Sequence, residues 1–150
     1  MSYGDGEALI LTLIRLHADF DASNTARGNW KLLNSGNSAF YAILRPGVAT
    51  FTTDSIGGLG GVVRTRSRHW RTEVMVYQRY VDDGTSLTNI EGHVSDLIDH
   101  IDQYPQLNDS SNIVRIGEAV GMGELVEFPA RAPKWLLWPI FVDWTEEKRQ

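Results

Sequence analysis

Three residues of the right types to hold a metal ion stand close together in the chain: His93, Asp96 and His100. Spacings of three and four set side chains on neighbouring turns of a helix, and imidazole with carboxylate suits zinc and other divalent ions. His93 and His100 are two turns apart, roughly 10 Å along the axis at the helical rise. That is too far for the pair to chelate one ion, so a site needs a further ligand, and Asp99 and His17 are the residues able to supply it. The competing reading is a solvated helix face with an Asp96–His100 pair, and the spacing favours it.

Other catalytic patterns are missing. Gly57-Gly-Leu-Gly-Gly61 lacks the Lys-Ser/Thr ending of a phosphate loop, and also the spacing and following helix of a dinucleotide fingerprint. There is no Gly-x-Ser-x-Gly elbow and no His-Glu-x-x-His motif. Asp54, Glu73, Asp82 and Asp83 have no lysine near them in a nuclease-like pattern, so turn and surface roles explain them better. With no cysteine, disulfides, thiolate metal sites and cysteine nucleophiles are excluded. The expectation is a chain that is not an enzyme and uses no cofactor and no metal.

Residues suited to binding are more evident. Arg64, Arg66, Arg68 and Arg71 form one basic stripe in a protein of net charge -5 and pI near 5.3. Arginine recognises phosphates and carboxylates by bidentate hydrogen bonds. The acidic balance argues against a free-standing nucleic-acid binder and favours a neighbouring subunit's carboxylates. Trp30, Trp135 and Trp138 stand beside loops and prolines and are of the type that dominates interface hot spots, with core packing an equal alternative.

The elements that must position these residues follow from periodicity. Arg68 to Val81 is rich in aromatic and β-branched residues and reads as a long strand. Trp70, Val74, Val76 and Tyr80 fall on a core face, while Arg71, Glu73, Tyr77 and Arg79 fall on a face that is polar or lies in an interface. Asp82-Asp83-Gly84 supplies a turn. Leu87, Ile90, Val94, Leu97, Ile98 and Ile101 then recur at helical spacing, with a capping box at Thr88–Glu91 or a start at Thr85 or Ser86, and Pro105 ends the helix. An earlier helix carries the stripe Ala8, Leu9, Leu13, Leu16 and Phe20, widened by Ile10, Ile14 and His17, with Asp5 and Glu7 at its positive end.

Residues 19–29 read as loop, 39–44 and 48–53 as strands, and 54–66 as a flexible glycine-rich arm. Ile113 to Val120 alternates as a strand. In the last strand Leu136, Trp138, Ile140, Val142 and Trp144 share a face, and Pro139 implies a bulge or an edge position. Residues 146–150 read as a loose charged tail. At 150 residues the chain has the size of one domain. It has no apolar run near the roughly 20 residues of a membrane span. Met-Ser-Tyr-Gly-Asp-Gly-Glu lacks the basic start of a signal peptide, so a soluble chain made in a cytoplasm is expected.

In this order of parts the chain resembles the tail terminators of tailed bacteriophages. The likeness runs through the N-terminal helix, the strand ending Pro46-Gly47 and a glycine-bearing excursion to the long strand with Trp70 and Tyr77. It continues with Asp82-Asp83-Gly84, the helix ending Tyr104-Pro105-Gln-Leu107, the strand from Ile113 to Ala119 and the aromatic strand closing on Val142-Asp-Trp144. It covers nearly the whole chain. Head-closure and tail-completion proteins of the phage neck are similar in size and composition and stand as alternatives, with a small metal-dependent enzyme using His93, Asp96 and His100 behind them.

The resemblance implies an α+β fold of two layers: a largely antiparallel or mixed sheet, two helices packed on it, and a glycine-rich hairpin arm. It also implies a hexameric ring in the neck of the virion that stops tube polymerisation. The partners it implies are further copies of the chain, the tail tube protein, and the head–tail connector or head-closure protein. DNA would pass nearby without sequence-specific binding, and no membrane is involved. Subunits in a ring pair two different patches of one chain, so the arginine stripe is expected to meet Asp96, Asp99 and Asp102 of a neighbour.

Overall fold

The computed structural model describes residues 2–28, 33, 37–56, 63–111, 113–127 and 135–149. Among the described residues an N-terminal helix, a central helix and a seven-stranded mixed sheet make an α+β fold. The elements are α1 (Tyr3–Arg15), β1 (Thr25–Arg27), β2 (Phe40–Pro46), β3 (Thr50–Ile56), β4 (Val63–Arg79), α2 (Asp83–Asp102), β5 (Val114–Met122), β6 (Val126–Glu127) and β7 (Trp135–Arg149).

The sheet is built on two long strands. All 15 residues of β7 pair antiparallel with β4, from Thr65↔Arg149 to Arg79↔Trp135, a ladder of about 50 Å at the usual rise. The outer edge of β4 is covered by two strands in succession, β2 over Pro46↔Thr72 and beyond, then β3 from Thr50↔His69 to Ile56↔Val63. Between them the Gly47 amide donates to the Arg71 carbonyl at 2.8 Å. A Cβ on Gly47 would come within 2.7 Å of the Arg71 side chain, so only glycine fits the joint. On the other side β5 and then β6 cover β7. β1 adds in parallel to β2, in a stretch that reads as loop from its breakers alone.

Pro139 therefore sits in a central strand, neither at an edge nor bulged against β4. Its carbonyl accepts from the Gly123 amide at 2.8 Å, which means its nitrogen also faces β5 and β6, where those strands leave a gap. The Gly123 carbonyl takes the Trp138 Nε1–H at 2.9 Å instead of the N–H that proline lacks.

Both helices cover one face. Ser2 and Asp5 form the capping box that starts α1, and α1 buries Gly6, Glu7, Ile10, Leu13 and Ile14. The chain leaves the helix after Arg15, so Leu16 points to solvent at 56% exposure while Phe20 turns back into the core. α2 begins earlier than either expected start, because Asp82 caps it by accepting from the Thr85 amide at 2.8 Å. Leu87 is consequently exposed and Ser86 buried, its hydroxyl accepting from the Val81 amide at 2.8 Å. The main core joins these helices to Ala42, Leu44, Val74, Val76, Ile140, Val142 and Trp144.

The other face of β4 is polar at Arg71 and Glu73, which pair with Asp143 and Arg45, but not beyond them. Met75 and Tyr77 join Tyr41 and Ile43 of β2 and Trp135 and Leu137 of β7 in a second buried cluster. In β5 the alternation slips: a register shift between Val114 and Ile116 turns both Val114 and Gly117 inward. The expected loose tail is also strand, since Glu146 to Arg149 pair with Arg68 to Thr65. The flanks of the expected flexible arm form the β3–β4 ladder, and residues 57–62 lie outside the described residues.

Candidate functional site

The arginine stripe divides when built on a strand. Alternation sends Arg68 and Trp70 to the helix side of β4 and Arg71 to the opposite side. Arg71 makes a bidentate pair with Asp143 directly across on β7, Nε to Oδ1 at 2.7 Å and Nη2 to Oδ2 at 3.1 Å, with the Phe141 ring 5.1 Å away. Arg68 donates through Nη1 to Glu146 Oε1 at 3.4 Å, and the same oxygen accepts from Trp70 Nε1 at 3.0 Å.

Glu146 is 1% exposed, whereas the Arg71 and Asp143 side chains are 38% and 41% exposed. The first carboxylate is thus part of the packing and the second pair lies in water, where such pairs contribute about 1 kcal/mol or less. Arg45 pairs with Glu73 and Arg27 with the buried Glu7 in the same way.

Two members of the stripe thus have carboxylates inside the chain, beside the expected contact with a neighbour's Asp96, Asp99 and Asp102. Arg68 and Arg71 are matched within the chain. Arg64 and Arg66 continue β4 into the ribbon opposite Ser55 and Thr53, and their side chains lie outside the described residues. Asp99 stays exposed on α2.

The tryptophans divide similarly. Trp135 is 6% exposed, edge-on to Tyr41 at 5.6 Å and beneath the Arg79 guanidinium at 5.3 Å, so core packing wins there. Trp138 is half-buried with its N–H committed to Gly123. Trp30 lies outside the described residues.

The second cluster gathers where α1 ends against α2. His100 is 9% exposed, and its Nε2 lies 2.7 Å from the Leu13 carbonyl, which can only accept, so Nε2 carries the hydrogen. Among the described residues His100 is not drawn into a ligand cluster with His93 and Asp96. His93 stacks on Phe40 with ring centres 3.9 Å apart. Burial pushes its imidazole below the ordinary value, a shift that Asp19 and Asp96 oppose and His17 reinforces. The His17 ring stands edge-on to His100 at 5.3 Å and to Phe20 at 5.9 Å. One ligand atom each from His17, Asp19 and Asp96 lie within 4.8 Å of one another.

Of the two further ligands considered from sequence, His17 is therefore brought to Asp96 and Asp99 is not. Asp19 went unnoticed, because its place in a loop carries no periodic signal.

No family model matches the chain, and the curated proteins searched include no match. Among the described residues no helix is long and apolar enough to cross a membrane.

Proposed function

We propose that the chain is a ring-forming cap of a bacteriophage tail tube, ending tube polymerisation and making the joint to the head connector. The observation that carries this reading is the ribbon of β3, β4 and β7. β3 pairs only β4, the β3–β4 ladder runs to Ile56↔Val63 and the β4–β7 ladder to Thr65↔Arg149, while among the described residues β5 leaves β7 at Val114↔Glu146. The outer edge of β3 and the end of β7 beyond Glu146 therefore have no further strand beside them among the described residues, and laying the ribbon on a neighbour covers such edges. The two-layer fold with an N-terminal and a central helix is the architecture that the resemblance implies.

In the ring the partners are further copies of the chain, the tail tube protein, and the connector or head-closure protein, in the neck of the virion. Light scattering across a concentration series, with imaging of large species, is the test. Rings of about six subunits, the closed symmetry of such caps, support the proposal. A chain that stays monomeric, and on addition to polymerising tube protein leaves tube length unchanged, overturns it.

A further inference from the structure

We propose that His17, Asp19 and Asp96 form a binding site for a divalent transition-metal ion of the zinc class, which ties the turn after α1 to the middle of α2. The three ligand atoms already lie within 4.8 Å of one another. Bonds of about 2.1 Å at a tetrahedral angle set ligand atoms roughly 3.4 Å apart, so closing the site takes a shift of little more than an ångström. Both carboxylates are exposed and able to rotate, and the Asp19 side chain is 47% exposed.

The imidazole is held more firmly. His100 and Phe20 meet the His17 ring edge-on, and His100 is itself fixed by the Leu13 carbonyl. The Asp19 amide also donates to His17 Nδ1 at 3.2 Å, a bond that ligation by this ring would exchange for the ion. No arginine or lysine among the described residues pairs with Asp19 or Asp96, which leaves two carboxylates facing one histidine and no cation.

The donor set chooses the ion. One nitrogen and two carboxylate oxygens suit Zn²⁺ and its neighbours, whereas Mg²⁺ and Ca²⁺ prefer all-oxygen shells. Three protein ligands also leave a position for water or a partner's side chain. The ion would bridge segments almost eighty residues apart in sequence, Asp19 and Asp96.

The test uses the purified full chain, stripped with chelator and titrated with ZnCl2 by calorimetry, with a thermal melt in parallel. Expected are one equivalent of Zn²⁺ per chain, a raised melting temperature, and at least tenfold weaker binding in both Asp96→Asn and His17→Gln. Asp99→Asn, one turn along the same exposed face, should bind as the parent does. Co²⁺ should give visible d–d absorption that Asp96→Asn abolishes. Absence of a heat of binding at millimolar ZnCl2 overturns the proposal. So does binding that Asp96→Asn and Asp19→Asn leave unchanged, which would be an adventitious ion only. The titration reads the same on a monomer or a ring, so its outcome is separate from that of the tube-capping test.

Discussion

Replacing Gly6 by alanine sets two effects of opposite sign against each other. Inside a helix the change gains about 1 kcal/mol, because glycine loses the most backbone freedom on folding. Here a Cβ would stand 2.0 Å from Trp144 Cη2 and 2.4 Å from Cζ2, against the roughly 3.5 Å of ordinary carbon contact. The ring would have to retreat about 1.5 Å to restore that contact. It has nowhere to go: Trp144 is 1% exposed, stacked near Tyr3 at 6.0 Å and Trp70 at 5.9 Å, with Nε1 donating to Thr72 Oγ1 at 3.2 Å. Overpacking of this kind costs 1–3 kcal/mol, and losing the indole hydrogen bond adds about 1.

The net expectation is a loss of about 2 kcal/mol, or roughly 6 °C in melting temperature for a domain of this size. Urea unfolding followed by circular dichroism measures it. Two controls isolate the cause. Gly92→Ala in α2 meets nothing within 4 Å and should gain stability, while Gly4→Ala meets the end of the Arg27 side chain at 3.2 Å and Ser2 Oγ at an ordinary 3.7 Å and should be close to neutral. In a Trp144→Phe background, Gly6→Ala should cost less than half as much, since the ring atoms it strikes are gone. A Gly6→Ala protein as stable as its parent would refute the packing argument.

Asp109 should make the chain acid-sensitive. Burial pushes its carboxyl up, but the Ser111 hydroxyl and the amides of Val114, Ser111 and Ile113 together hold it below the ordinary value. A carboxyl held low stabilises the fold above its unfolded pKa near 4, and that stability is lost as pH falls through the folded value. Asp109→Asn should cost roughly 1–3 kcal/mol at neutral pH and flatten the fall in stability below pH 4. Urea midpoints between pH 3 and 7 would show it, and an unchanged slope would count against the assignment. Glu146→Ala should cost about 2–3 kcal/mol, because it strands the half-buried Trp70 N–H and the Arg68 charge, while Arg71→Ala at the solvated pair costs under about 1. Denaturation of the two variants side by side would reverse the reasoning if Arg71→Ala proved the more damaging.

The parts of the candidate sites that local pattern controls were legible beforehand. Spacing alone put His93, Asp96 and His100 on one helix and told that His93 and His100 do not chelate together. Alternation put Leu136, Ile140, Val142 and Trp144 on the core face of β7, where the structure has them. What local pattern missed was the partner of each group. His100 turned to the Leu13 carbonyl, and Arg71 to Asp143, 72 residues further on.

The sequence by itself determined α1, α2 and the long strands β4 and β7, with the inward face of β7 and most of that of α2. Periods of 3.6 and 2 are written in neighbouring residues and need no knowledge of the rest of the chain. The tertiary structure alone decided that β4 and β7 pair along their whole length, that charged residues 146–149 complete a strand and that Tyr77 faces a second core. It also brought Asp19 and His17 to Asp96. Each of these depends on which distant segment supplies the other half of a ladder, an ion pair or a buried face, and no local spacing encodes that choice.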